Sequence, residues 1–410
     1  MTVRISKPEF NLREKLGELD KPTGLKGNEL MRSDTSQDAR DLISAGRKNL
    51  IINGSMAVAQ RGTSVSAQSF NTAGYPVCDR WQLRSGGLDQ ANFDVSQQND
   101  APRGVCTKSI KVDVNAAESA LSSGEYLWMA QTIEAQNSSD LGFGDSGASD
   151  LTISFYVKSN VIGKYTVYFY TQDPNRYITR TYTIDTSGQW ERKIIHIPGD
   201  TNGNAIVHDN GIGLKIYWYL LAGSDYTSAD SSQSWATYSG NGTAYGHEVN
   251  IATSTSNYWQ LTGVQVERGS NATEFENRSF GEELLLCQRY TYRLGGLSKQ
   301  YQVVGNGFIG LNGSTKCAKV LVHLPTTMRT NPSVSVIGTD AFWGHTGAAF
   351  SDMTCHLTSS DGGTWNDASS GNQIWLDFGR SSGGSPNNGT ACVVYTKNNN
   401  QGEVLFNAEF

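Results

Sequence analysis

The chain has 410 residues, more than one ordinary hydrophobic core accommodates, and reads as two domains with additional segments. A formal net charge of −6 argues against nucleic acid as the main partner, because binding phosphates requires a basic face. With 44 glycines, 18% charged and 10% aromatic residues, the composition is that of an all-β protein with many turns rather than a disordered one.

Residues 1–48 differ from all that follows, with dense charge and Phe10 as the single aromatic. Asn11 and Glu14 read as a capping box ahead of a short apolar face made by Leu12, Leu16 and Leu19. Lys21-Pro22-Thr23-Gly24 breaks that helix. Thr35 and Asp38 give a second capping signal before Ala39, Leu42 and Ile43, with Gly46 as a stop. Neither helix is long enough to stand alone, so the segment is either a disordered leader or one that folds on a partner. Residues 1–20 carry charge throughout, so no secretory signal is expected. No apolar run approaches the roughly 20 residues of a membrane span, so no membrane insertion is expected.

From Asn49 the pattern changes to strands. Leu50-Ile51-Ile52-Asn53-Gly54 opens a large domain, followed by predicted strands Ser109 to Val114, Tyr126 to Ile133, Leu151 to Lys158 and Tyr165 to Tyr170. Tyr177 to Ile184, Trp190 to Ile197 and Leu214 to Leu221 come next. Asp173-Pro174-Asn175 is a strong turn signal between two of these and predicts a hairpin. Strands of this length, separated by turns and long loops, indicate a two-sheet sandwich over residues 49–280.

The last strand, Tyr258 to Glu267, changes phase at Gly263. Trp259 and Leu261 hold one parity, Val264 and Val266 the other, as a bulge at the glycine would produce. After Gly269-Ser270-Asn271, Glu282-Glu283 and Leu284-Leu285-Leu286-Cys287 predict one or two helical turns in a junction spanning residues 281–292. Residues 293–410 read as a second, smaller β-sandwich. Its predicted strands are Gln302 to Val304, Ala318 to His323, Ser333 to Ile337, Ile374 to Phe378, Ala391 to Tyr395 and Glu403 to Phe410. The connections Thr339 to Asp352, Ser359 to Gly371 and Gly379 to Gly389 are long and rich in Gly, Ser and Asn. Cys78, Cys106, Cys287, Cys317, Cys355 and Cys392 are scattered without a C-x-x-C pair and read as buried free thiols in a reducing compartment. Cys355-His356 lacks the spacing of a zinc site.

Binding sugar on a β-sandwich requires aromatic faces for the C–H surface and polar groups for the hydroxyls. Two regions offer both. The loop Ala222 to Asn257 holds Tyr226, Trp235, Tyr238, Tyr245, His247 and Glu248. The C-terminal set is Phe342-Trp343-Gly344-His345 with Asp361, Trp365, Asn366 and Asp367; it is the preferred receptor tip because the last strand pair and its loops are expected at the end farthest from the N-terminal segment, with Trp343 and Trp365 predicted in glycine-rich loops. The bland alternative is that these aromatics pin their own loops. Glycoside hydrolysis needs paired carboxylates, and Asp140, Asp145 and Asp150 or Glu267, Glu274 and Glu276 supply only acids of the kind usually solvated in turns. No G-x-S-x-G or H-E-x-x-H motif occurs, and no activity as an enzyme is expected.

Asn53-Gly54 near the start, Trp190 in mid-domain and the closing YWQLTGVQVE together resemble the jelly roll of carbohydrate-binding modules. Some of those modules hold a structural calcium through an acidic residue after the opening NG; Met56 stands in that region here, which counts against the metal, and no other cofactor is expected. The longer stretch TGVQVERGSNATEFENRSFGEELLLCQRY resembles the end of the corresponding region in tail fibres of tailed bacteriophages, particularly those of marine cyanobacteria. Asn49 to Met56, Ala59-Gln60-Arg61-Gly62, Asp79-Arg80-Trp81, Leu324 to Pro332 and Phe406 to Phe410 extend the likeness over nearly the whole chain. The resemblance implies a virion protein, made in the host cytoplasm, that adheres to a host-surface polysaccharide. It implies attachment to a tail adaptor or other virion protein through residues 1–48, with Leu12, Leu16, Leu19, Leu42 and Ile43 as contacts. It also implies a homotrimer, for which Leu284, Leu285, Leu286, Tyr290 and Tyr292 are the candidate contacts. A structural or head-decorating fibre and a depolymerising tail spike remain the alternatives.

Overall fold

In a computed structural model of the chain, residue 32 and residues 48–118, 120–228, 234–295, 302–312, 315–337, 342–346, 350–355, 373–380, 387–397 and 402–410 are described. The chain divides into two units, Met1–Lys48 and Asn49–Phe410. The expected attachment contacts Leu12, Leu16, Leu19, Leu42 and Ile43 lie outside the described residues, as do Asp361, Trp365, Asn366 and Asp367.

The fold is mainly β. Its larger part is a sandwich of β1 (Ser64–Gln68), β2 (Gln82–Gly86), β3 (Asn92–Gln98), β4 (Ser109–Ala116), β5 (Tyr126–Glu134) and β6 (Leu151–Ser159). The remaining strands are β7 (Gly163–Thr171), β8 (Arg176–Ile184), β9 (Glu191–Ile197), β10 (Ile212–Ala222), β11 (Ala236–Thr237) and β12 (Tyr258–Arg268). They form two antiparallel sheets, β1-β3-β4-β12-β6-β9 and β11-β8-β7-β10-β5-β2. Side chains from both sheets, among them Phe93, Val112, Phe155, Met129, Val167 and Trp218, fill one core. The strands read from sequence after Ser109 are present, with ends displaced by a residue or two. β1, β2, β3 and β11 were not legible: β1, β2 and β11 are short, polar sheet edges, and edges need no buried face, while β3, between β1 and β4, has only Phe93 and Val95 as apolar residues in NFDVSQQ. The predicted hairpin joins β7 to β8, with Asn175 at φ 52°.

β12 is where the sandwich closes. It pairs with β4 from Tyr258 to Leu261 and with β6 along its length, and the register shifts between Thr262 and Gln265. Gly263 sits at φ +60°, and the slip leaves Trp259, Leu261, Val264 and Val266 all fully buried. Past the bulge the opening segment replaces β4 as neighbour: Leu50 N–H donates to Val266 O at 3.0 Å and Val264 N–H to Gly54 O at 3.0 Å. A Cβ on Gly54 would lie 2.2 Å from Val264 O, so only glycine permits this approach. Asn53 is buried at φ 59°, its amide donating to Val58 O and Asp79 O and its carbonyl accepting from the Trp81 indole at 2.9 Å.

The smaller β part comprises β13 (Thr291–Gly295), β14 (Val303–Asn312), β15 (Thr315–His323), β16 (Ser333–Ile337), β17 (Phe342–His345), β18 (Phe350–Cys355), β19 (Gln373–Arg380), β20 (Ala391–Thr396) and β21 (Glu403–Asn407). The strands expected here are in place, but six of them close into a barrel, β14-β15-β19-β18-β17-β20, rather than leaving two open sheets. β13, β21 and β16 form a three-stranded sheet beside it, and one core of Ile309, Val320, Phe342, Leu376, Phe378, Val404 and Phe406 serves both. Closure removes the strand edges that two small open sheets would leave unpaired.

Between the two parts runs the helix Phe280–Gln288, started by a capping box of Ser279 and Glu282. Glu283 accepts the Asn53 N–H at 2.6 Å, and Glu276 accepts the Asn49 N–H at 2.9 Å, so the helix and its lead-in clamp the opening segment. Arg80, fully buried, donates to Thr132 O at 2.5 Å, pairs with Glu409 and lies 3.4 Å from the Tyr290 ring centre. Glu134 at the end of β5 accepts from Arg289 at 2.7 and 2.8 Å and from the Tyr290 hydroxyl. Burial alone would raise the Glu134 carboxyl, but Arg289, Tyr290 and Gln136 hold it below the usual carboxylate range. Arg329 bonds Ala408 O, Glu409 O and Asn210 O and covers the Phe410 ring.

These contacts correct two expectations. Tyr290 is buried inside its own chain and is not a surface available to a second subunit, because the Arg80 and Glu134 charges require it there. Tyr292 is half-buried and stacks on Phe406 at 5.9 Å; Leu284 and Leu286 are half-buried, and Leu285 is 48% exposed. The final strand, expected at a remote tip, lies at the junction with the sandwich, drawn there by the Glu409 and Phe410 contacts.

A loop after β10 folds back over the second sheet and is anchored by His247, whose Nε2–H donates to Val249 O at 2.7 Å. Burial pushes this imidazole down from 6.5 to about 4. Two outcomes follow from these sites. Arg80→Ala leaves Glu409 buried without its main cation and should cost about 3–5 kcal/mol in urea unfolding, with the R80A/E409A pair recovering part of it. Because the folded His247 resists protonation, its stabilisation is complete above pH 6.5 and lost as the pH falls to about 4. The acid-side loss should be on the order of 3 kcal/mol and be missing in His247→Gln, read as melting temperature against pH.

Candidate functional site

In β5, β7 and β10 both parities are apolar, so the second sheet has a second face. Leu127, Met129, Val167, Phe169, Ile216 and Trp218 enter the main core, while Trp128, Ala130, Tyr168, Tyr177 and Tyr219 cluster on the opposite side. Strand pairing sets Tyr217 against both Ala130 and Tyr168, Trp128 against Tyr219, and Tyr170 against Tyr177. The result is an aromatic row across four strands. Trp128 meets Tyr217 edge-on at 4.9 Å, Tyr217 meets Tyr168 at 4.8 Å, and Tyr168 stacks with Tyr170 at 6.3 Å. Tyr126 extends the row beyond Trp128 in a near-parallel stack at 6.5 Å.

The loop between β10 and β12 walls this face. Tyr226 meets Tyr126 edge-on at 5.2 Å, and Tyr238 meets Tyr170 at 5.3 Å. Thr243 bonds the Tyr219 hydroxyl at 2.9 Å, Tyr177 donates to Asn241 O, and Ala244 N–H donates to Tyr226 O. Tyr168, Tyr177 and Tyr219 are thereby sealed, while Tyr126, Tyr170, Tyr217 and Tyr226 stay half-open and Tyr238 is 43% exposed. Burial raises the phenols of Tyr168, Tyr217 and Tyr219, so they are neutral hydrogen-bonding groups.

One cation enters the row. Lys215 Nζ donates to Gln82 Oε1 at 2.7 Å and lies 5.0 Å from the Tyr217 ring and 5.2 Å from Trp128. Burial, and then Arg84, lower its pKa to about 8.

The sequence-predicted residues fall out unevenly. Tyr238 and Tyr226 reach the aromatic face. Trp235 does not: its indole N–H donates to Pro198 O at 2.7 Å and its ring packs edge-on against Phe143, so it pins its loop. Tyr245 is half-buried in the turn before the buried His247, and Glu248 pairs with Lys164. Trp343 and His345 lie on strand β17, not in a loop; Phe342, between them and the barrel axis, occupies the core and fixes both as half-buried outward residues. Asp361, Trp365, Asn366 and Asp367, the rest of that set, lie outside the described residues. Of the acids considered for catalysis, Asp150 bonds His196 and Gly199 N–H, and Glu267 accepts the Thr273 N–H at 3.0 Å. Among the described residues no group of three His, Cys, Asp or Glu side chains is placed to hold a metal ion.

Sequence reasoning missed Tyr126, Trp128, Tyr168, Tyr170, Tyr177, Tyr217 and Tyr219. The signal was present: an antiparallel strand with one wet face alternates, whereas Val167 to Tyr170 and Ile216 to Leu220 are apolar or aromatic at successive positions.

No protein-family model matches the chain, and no curated protein matches its sequence. Among solved structures it is similar to the enzymatically active domain of bacteriophage CBA120 tailspike protein 4, at 12% identity and a TM-score of 0.28, over 54% of this chain and 21% of that one. It is also similar to a putative sugar binding protein from Bacteroides thetaiotaomicron, at 11% identity and a TM-score of 0.29, over 54% of this chain and all (100%) of that one. A third is a family 11 carbohydrate-binding module from Clostridium thermocellum in complex with a β-1,3-1,4-mixed-linked tetrasaccharide, at 12% identity and a TM-score of 0.25, over 52% of this chain and 98% of that one. Likeness at these scores carries no argument about function, which rests on the geometry of the aromatic face.

Proposed function

We propose that this chain binds a polysaccharide on the aromatic face of its second sheet. The observation that carries the reading is the row from Tyr126 through Trp128, Tyr217 and Tyr168 to Tyr170, in which Tyr126, Tyr217 and Tyr170 are half-open to solvent between the buried Trp128 and Tyr168, bordered by Tyr226 and Tyr238. Rings in this arrangement cover the C–H faces of successive sugars, and phenol hydroxyls at their edges bond sugar hydroxyls. Binding without cleavage is favoured. On the outward positions of β2, β5, β7, β8 and β10 the one carboxylate is Glu134, and Arg289 and Tyr290 already occupy it.

We further propose that the protein acts as a receptor-binding tail fibre, assembled as a homotrimer on the virion and docked through residues 1–48. The exposed Phe280 and Leu285 of the junction helix are apolar surface of the kind a symmetric contact would cover.

Affinity electrophoresis against soluble polysaccharides tests the first part. Tyr217→Ala and Tyr238→Ala should each weaken retardation about tenfold, about 1.4 kcal/mol, and the more exposed Tyr238 should do so with little change in melting temperature. Retardation untouched by both changes would place any sugar site elsewhere. For the second part, removing residues 1–48 should leave a folded protein that sediments as a trimer and no longer joins particles. A truncated protein that still assembled onto virions would remove the docking role.

A further inference from the structure

Lys215 differs from most of the other partly buried cations in lacking a carboxylate, and from Arg329, which also lacks one but bonds three backbone carbonyls. Arg61, Arg80, Arg176, Arg278, Arg289 and Arg293 each pair with a carboxylate. Lys215 has only the neutral Gln82 oxygen and two ring faces, which leaves ammonium donors unused in a partly dehydrated place. Arg84, opposite Trp128 on β2, is exposed on the same face and, among the described residues, has no ion-pair partner. Their mutual repulsion is part of what depresses Lys215. Two cations beside sugar-stacking rings, with no free carboxylate among them, are unexpected in a chain of net charge −6. A cation–π contact explains where the Lys215 ammonium rests, but it supplies no counter-charge and no reason for Arg84 to lie next to it.

We infer that the aromatic face selects an acidic polysaccharide, one whose sugars carry a carboxylate or a sulfate ester that pairs with Lys215 and Arg84. The inference rests on the glycan-binding reading above and adds the chemical class of the glycan. A sugar stacked on the half-open Tyr217 brings a ring substituent within reach of the ammonium, and an anion there satisfies the unused donors. Charge-assisted bonds at a partly desolvated site are stronger than those to neutral hydroxyls. The remaining titratable neighbours do not supply the anion: Asp173 near Tyr170 and Asp225 near Tyr226 lie in the bordering loops, where they accept from Val207 N–H at 2.9 Å and from the Ser123 hydroxyl at 3.1 Å. Tyr170 on β7 and Tyr217 are phenols raised by burial, and Glu134 further along β5 is held by Arg289.

Paired polymers that differ only in charge test this on the full chain. Polygalacturonate is compared with its methyl ester, and dextran sulfate with dextran, so the carboxylate and sulfate sources are read separately. The expected result is at least about a tenfold preference for one charged member over its neutral counterpart, falling as salt is raised. Lys215→Met should reduce that preference about tenfold and Lys215→Arg should keep it; Arg84→Gln, at an exposed position, should reduce it without unfolding the protein. Raising the pH through about 8 should weaken charged-polymer binding by wild type but not by K215R, because only the lysine loses its proton there. Equal binding of charged and neutral members, or a preference indifferent to both K215M and R84Q, overturns the acidic-glycan inference while leaving the sugar site standing. Binding of any of the four polymers that Tyr217→Ala and Tyr238→Ala leave untouched overturns the site itself.

Discussion

The sandwich depends on a substitution of one neighbour for another along β12. Up to Leu261 its edge is covered by β4; from Val264 it is covered by the opening segment. Gly263 makes the exchange possible by shifting the register, and Gly54 makes it close by letting backbone meet backbone. Had β12 run straight, either Trp259 and Leu261 or Val264 and Val266 would have faced away from the core, since side chains alternate strictly along a regular strand. The same turn sends Asn53 into a buried hydrogen-bonding position that fixes the Asp79 carbonyl and the Trp81 indole, on either side of Arg80. The junction, and with it the second β part, is built on that turn.

The second sheet carries a different constraint. Facing the main core on one side and an aromatic row on the other, it has no wholly polar surface, and the loop after β10 covers only part of the row. A sheet needs one buried face to hold its register. Here the second face adds rigidity to the ring positions, because Tyr168 and Tyr219 are locked beneath Ala244 and Thr243 while Tyr217 and Tyr126 remain approachable. Rings held this firmly present a surface of fixed spacing, and little side-chain freedom is lost when something is laid on it.

Much of the fold was legible because its strands are long and rich in β-branched and aromatic residues. The break at Gly263 could be read from parity alone. The edge strands β1, β2 and β11 could not, since SVSAQ or QLRSG has the composition of a loop and becomes strand only by pairing. The site was half legible: Tyr226 and Tyr238 stand out as aromatics in a polar loop, but the larger set lies in strands, where aromatic residues are ordinary strand formers. Trp235 looks alike in sequence and turns inward because Pro198 offers its indole a carbonyl. Trp343 illustrates the opposite error, since glycine nearby suggested a loop where pairing with Asp352 and Tyr395 makes a strand.

The Arg80–Glu409 pair joins residues 329 positions apart. At about 5–20 residues per second of synthesis, the interval between the appearance of the two is on the order of tens of seconds. Through that time Arg80 lacks the carboxylate it pairs with, and Tyr290, whose ring lies against the guanidinium, is made before that carboxylate. The first β part therefore leaves the ribosome with an unfinished seam, and its final stability is conferred in order of translation, late and from a distance.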